Sequence, residues 1–142
     1  MKQHFDHVAL IGLGLIGSSL GHVIKRHGLA RRVSGTARSA QTRETALRIG
    51  FVDEVHEDPA ECVRGADLVI LCTPVGTFGT LAEQMAPALE PGAILTDAGS
   101  VKCSVIESIK PHLREHVHFI PGHPIAGTEY SGPEAGFAEL FE

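Results

Sequence analysis

Residues 7–17, HVALIGLGLIG, limit the possible folds more than any other stretch of this chain. An unbroken apolar run from Val8 to Ile11 reads as a strand buried on both faces. It runs into Gly12, Gly14 and Gly17, the pattern G-x-G-x-x-G, and then into GSSLGHVIKRHG (17–28). That segment places Leu20, Val23 and Ile24 on one helical face and ends at Gly28, a natural C-cap. Each glycine has its own task in such a turn. Gly12 permits the tight bend, Gly14 admits a pyrophosphate to the backbone, and Gly17 lets helix and strand pack closely. Leu15 and Ile16 lie between them, where a helix N-terminus faces an anion. A glycine-rich turn alone also occurs in plain βα connections and in methyltransferases. Strand, glycines, helix and a second strand about 20 residues on form the context expected of a dinucleotide site.

The rest of the chain repeats that alternation. Strands are expected at 32–39, 52–56, 67–75, 92–100 and 116–123, and helices at 41–51, 58–66, 76–89 and 102–113. Gly50 stops the second helix, while Asp58 and Pro59 open the third as N-cap and first residue. The strands are continuous apolar runs, which suits a parallel sheet with helices on both faces. The expectation is a doubly wound α/β domain of Rossmann type over residues 1–142. Several function classes fall away on composition. The net charge is -5 with no basic stripe, there is no Trp and one Tyr, so nucleic acid is not an expected partner. No run approaches the roughly 20 apolar residues of a membrane helix, so no membrane is expected either. The N-terminus carries no signal-peptide pattern. Cys62, Cys72 and Cys103 form neither a C-x-x-C pair nor a disulfide framework, which suits the cytoplasm. No His/Cys spacing suggests a metal site.

Ligands of open α/β sheets sit at the carboxyl ends of the strands, so the strand exits carry the candidates. The second strand ends in GTARS, with Ala37 where NAD-binding domains place an acid. Without that carboxylate, Arg38 and Ser39 are candidates for a 2′-phosphate, which slightly favours NADP. The alternative keeps NAD, with Arg38 stacked on adenine or in solvent. Thr73 and Pro74 follow the fourth strand, either bordering the nicotinamide or forming only a rigid exit. In DAGSVK (97–102), Ser100 either donates to a substrate or caps the next helix. His123, in PGHPIAG, lies on the same rim among residues that allow close backbone approach. His112, His116 and His118 read as surface or packing residues.

Taken together, ALIGLGLIGSSL, LVILCTPV, TDAGSVK and PGHPIAGTEYSGPEAG resemble the prephenate/arogenate (cyclohexadienyl) dehydrogenase family of tyrosine biosynthesis, in order and spacing, over nearly the whole chain. The resemblance implies oxidative decarboxylation of prephenate or arogenate with hydride transfer to NAD or NADP. It also implies that His123 is the catalytic base, that Ser100 is its active-site partner, and that Glu129 orients or gates the site. The family has a second, helical domain that forms a homodimer and supplies basic groups for the substrate carboxylates. That domain is expected to be absent here, leaving the isolated chain poorly active. Three rivals remain open: another hydroxy-acid or imine oxidoreductase, a nucleotide-sensing module without catalysis, and a methyltransferase that binds S-adenosylmethionine.

Overall fold

The computed structural model describes residues 5–73, 75–97, 112 and 117–120. They form one six-stranded sheet, all of its pairings parallel, in the order β3-β2-β1-β4-β5-β6. The strands are β1 (Phe5–Ile11), β2 (Ala30–Thr36), β3 (Glu54–His56), β4 (Leu68–Leu71), β5 (Ile94–Asp97) and β6 (His118–Ile120). Between them run α1 (Leu15–His27), α2 (Ala40–Ile49), α3 (Pro59–Val63) and α4 (Phe78–Met85). The strand order reverses between β1 and β4, which opens a crevice at that switch point.

The expectation of helices on both faces holds, and the period of two in β1 explains it. Val8 and Leu10 point to one face, where they meet Ile24 of α1, Ala46 of α2, Val33, Phe51 and Val52. Ala9 and Ile11 point to the other, against Cys62 and Val63 of α3 and Phe78, Ala82 and Met85 of α4. Side chains on both faces are withdrawn from water, so the unbroken apolar run is the sequence trace of a central parallel strand.

Several boundaries move from their expected places. Helix α1 starts at Leu15 rather than Gly17, because Gly14 is its N-cap and Gly17 lies inside the first turn. Its buried face consists of Gly17, Ser18, Ser19, Gly21 and Ile24, while Leu20 and Val23 are only half-buried. Small residues are needed there: a Cβ on Gly21 would stand 2.6 Å from Phe51 Cδ1 and 2.9 Å from Phe51 O. β2 runs from 30 to 36 rather than 32 to 39, since its ladder begins at Phe5↔Ala30 and Ser39 already caps α2. The helix expected over 76–89 breaks into a 3₁₀ turn (Val75–Thr77), α4, and a second 3₁₀ turn (Ala86–Ala88). Pro87 lacks an N–H and crowds the preceding turn, so the α ladder does not continue through it. Gly28 and Gly50 end α1 and α2 in the left-handed conformation, and Asp58 accepts from the Ala60 N–H at 3.0 Å as the cap of α3, all as expected. The helix expected at 102–113 lies outside the described residues except for His112.

Polar groups at the amino edge of the sheet close on one another. The Asp67 carboxylate accepts from the His7 N–H (2.8 Å) and the Asp6 N–H (3.0 Å) at the lower end of β1. Asp53 accepts from the Val33 N–H (2.8 Å), donates its own N–H to Val33 O (2.8 Å), and is paired with Lys25. It thereby extends the pairing of β2 beyond the three residues of β3. His7, 4% exposed, is held in one tautomer. Its Nδ1 accepts from Arg32 Nη2 (2.8 Å) and its Nε2–H donates to Ser34 Oγ (2.6 Å), which donates to Cys62 O (2.8 Å).

Candidate cofactor site

The turn after β1 hangs between two neighbouring strands. Gly12 N–H donates to Thr36 O (2.9 Å) of β2, and Cys72 N–H, past the end of β4, donates to Ile11 O (2.7 Å). Gly12 has φ +106°, and a Cβ there would meet Thr73 Cγ2 at 2.8 Å and the Cys72 carbonyl carbon at 2.9 Å. A Cβ on Gly17 would stand 2.0 Å from Gly12 O. Both positions therefore require glycine. Gly14 differs: its φ is -81°, ordinary for any residue, and nothing lies within 4 Å of where its Cβ would be. The space beside Gly14 is open, and Gly14 caps α1 without a side-chain hydrogen bond. The first turn of α1 holds no acid, so the first amides of Leu15, Ile16 and Gly17 carry the helix's positive end without a side chain competing for them. This arrangement fits an anionic diphosphate.

Next to the turn is a cleft of about 700 Å³. Ile11 and Gly12 form its floor, Thr36, Ala37 and Arg38 one wall, and Glu57 and Pro59 a second. Thr73, Gly76, Thr77, Thr80, Leu81 and Gln84 close the third side. Gly12, Arg38 and Thr73, singled out from three separate strand exits, are thus brought to one cleft. Thr77 Oγ1 donates to Thr73 Oγ1 at 2.8 Å, which fixes the Thr73 hydroxyl at the cleft wall. Ser39 does not line the cleft; its hydroxyl accepts from the Thr42 N–H (3.4 Å) as the N-cap of α2. Pro74, Ser100, His123 and Glu129 lie outside the described residues. Among the described residues no group of three or more His, Cys, Asp or Glu could hold a metal, and no helix is long and apolar enough to cross a membrane.

Two residues of this corner were not singled out from the sequence. Arg43, in the first turn of α2, donates through Nη1 to both Ala37 O (2.7 Å) and Arg38 O (3.2 Å). A hint was present, since a cation near a helix N-terminus opposes the helix dipole and asks for a reason. Glu57 follows β3, and the register Thr36↔His56 sets it beside Ala37 on the neighbouring strand. An acid one strand away from the expected position leaves no trace in a reading confined to the end of β2. Asp97, buried at the end of β5 and in register with Leu71, occupies the same edge of the sheet.

The family described as prephenate dehydrogenase, nucleotide-binding domain, matches residues 20–142. The chain belongs to this family. Its likeness extends across the glycine turn as well: a cyclohexadienyl dehydrogenase of Zymomonas mobilis is 47% identical over 97% of the chain and 47% of the relative. Among solved structures, prephenate dehydrogenase from A. aeolicus in complex with hydroxyphenyl propionate and NAD+ superposes with a TM-score of 0.86 at 31% identity, over 96% of this chain and 48% of that one. Synechocystis arogenate dehydrogenase gives 0.82 at 35%, over 92% and 45%. The chain spans about half the length of these relatives.

Proposed function

We propose that this chain is the cofactor-binding part of a dehydrogenase of tyrosine biosynthesis that oxidatively decarboxylates prephenate, arogenate or both, with NADP favoured over NAD. The observation that carries the reading is the convergence of Gly12, Arg38 and Thr73 on one cleft, beside an α1 N-terminus that no side chain caps, in a chain of this family. Gly14 leaves room for the pyrophosphate, and Leu15, Ile16 and Gly17 offer their amides to it. Bound there, the nicotinamide supplies the hydride acceptor. Thr73 and Pro74 border it; His123 takes the proton of the ring hydroxyl as the carbinol carbon gives up hydride. The ring carboxylate then leaves as carbon dioxide and the ring becomes aromatic. Ser100 orients His123 and the hydroxyl, and Glu129 gates the site. The active assembly is a homodimer built through a helical domain additional to these residues. The free thiols of Cys62 and Cys72 support a reducing, cytoplasmic setting.

Arg38 supports NADP: it lines the cleft next to Ala37, and among the described residues no carboxylate pairs with it. Glu57 supports a second reading, in which its carboxylate takes the ribose hydroxyls from β3 and NAD is used. Calorimetric titration of the chain with NADP, NAD and S-adenosylmethionine separates these. Tighter NADP binding that is lost in Arg38→Ala supports the first, and tighter NAD binding that is lost in Glu57→Gln supports the second. Binding of S-adenosylmethionine alone overturns both.

A further inference from the structure

Arg43 lies where helix energetics do not favour it. It sits in the first turn of α2, whose amide dipoles repel a cation, and the turn holds no acid to offset it. Among the described residues no carboxylate pairs with it. Its guanidinium instead folds back over the β2–α2 turn and donates to two successive carbonyls, Ala37 O and Arg38 O. Peptide groups are planar, so fixing these carbonyls also fixes the opposed amides of Arg38 and Ser39, which point away from Arg43. The clamp thereby sets the backbone from which the Arg38 side chain leaves for the cleft. Both bonds leave Nη1, whose two N–H groups lie in the rigid guanidinium plane and keep fixed directions, whereas the three N–H groups of an ammonium rotate on a flexible stem.

We propose that Arg43 is a positioning residue for dinucleotide discrimination: it locks the Ala37–Arg38 backbone so that Arg38 is presented to the adenosine 2′-phosphate. The inference rests on the reading above, that Arg38 contacts that phosphate. Arg43 acts through Arg38 and does not itself touch the cofactor.

The test is calorimetric Kd values of the full chain for NADP and NAD in wild type, Arg38→Met, Arg43→Met, Arg43→Lys and the double variant Arg38→Met/Arg43→Met, with circular dichroism to check folding. The quantity read is the ratio of the two Kd values. Arg43→Met should shrink the NADP preference about 5- to 20-fold, within the coupling expected inside one hydrogen-bonded network. Arg43→Lys keeps the charge and should recover only part of it. The double variant should be no worse than Arg38→Met alone. Additive losses, full rescue by Lys, or an equal loss for both dinucleotides would overturn the positioning role. Should Arg38→Met change the ratio and Arg43→Met leave it intact, the inference alone fails. An unchanged ratio in Arg38→Met removes the phosphate reading, and the role of Arg43 with it. If Arg43→Met does not fold, Arg43→Lys decides by the same ratio.

Discussion

Gly17 and Gly14 belong to the same short pattern, yet the structure assigns them opposite sensitivities. Gly17→Ala puts a methyl 2.0 Å from Gly12 O, at least 1 Å inside the closest approach that real Cβ atoms show. The obstacle is backbone, so no side chain can swing away. Helix α1 would have to lift, but Gly21, one turn on, is wedged against Phe51 on the same face. In an open helix the change would be favourable by about 1 kcal/mol on propensity alone. Overpacking a closed contact costs about 1–3 kcal/mol and more where backbone meets backbone. A net loss of about 2 kcal/mol or more is expected, read as a lower urea midpoint at unchanged m. Gly14→Ala should behave differently. Its backbone already suits an L-residue and nothing is near its Cβ, so stability should change by less than about 1 kcal/mol, mostly from a poorer N-cap. The methyl would occupy the space proposed for the pyrophosphate, so dinucleotide affinity should drop at least tenfold. A Gly17→Ala chain as stable as wild type would refute the close-packing argument. A Gly14→Ala chain that binds within twofold of wild type would refute the pyrophosphate assignment.

Three further outcomes are expected. Burial, with the Arg32 guanidinium beside it, holds the His7 imidazole below its ordinary value of 6.5, against the opposing pull of Glu54 and Asp67. The unfolded chain therefore takes this proton first, and stability should fall as pH drops below about 6.5, levelling once the folded state protonates too. Urea midpoints between pH 5 and 8 should slope less in His7→Gln; an identical slope would remove His7 as the source. Burial also pushes the Cys62 thiol up to about 12, although the Ser34 hydroxyl pulls the other way. In Cys72→Ser/Cys103→Ser, a disulfide reagent at pH 8 should thus react only as fast as the chain unfolds, and a fast phase would contradict the buried placement. In any form of the protein that turns over, His123→Asn should lower kcat about 10²–10⁴-fold with cofactor affinity nearly unchanged, as for a lost general base; undiminished activity would exclude that role.

The parts legible in the sequence are those governed by local rules. The apolar run Val8–Ile11, the positive φ at Gly12, Gly28 and Gly50, and the Asp58–Pro59 start of α3 each follow from neighbours a few residues away. The illegible parts depend on what the sheet brings together. Helix α1 looks like a Leu-Val-Ile helix and packs through glycine and serine, because Phe51 approaches from thirty residues away. Glu57 enters the cleft only because β3 pairs with β2 in one register. Arg43 is an ordinary surface arginine until its side chain is seen folded back on the turn.

The two edges of the sheet use polar groups in opposite ways, and this contrast bears on where a ligand belongs. At the amino edge Asp67, Asp53, His7, Arg32 and Ser34 satisfy one another and the ends of β1 and β2, with their directions fixed by the fold. Polar groups so consumed have little left to offer a solute. At the carboxyl edge the same chain withholds such partners: Gly14 caps α1 without a side chain, α1 and α2 lack first-turn acids, and Arg38 has no carboxylate among the described residues. Each of the omissions at the starts of α1 and α2 costs a little helix stability, since an acid or a better cap would improve it. Three such omissions around one cleft are hard to explain by folding alone. They are explained if an anionic ligand supplies the missing charge, and a bound dinucleotide should accordingly raise the unfolding midpoint of this chain by more at low ionic strength than at high.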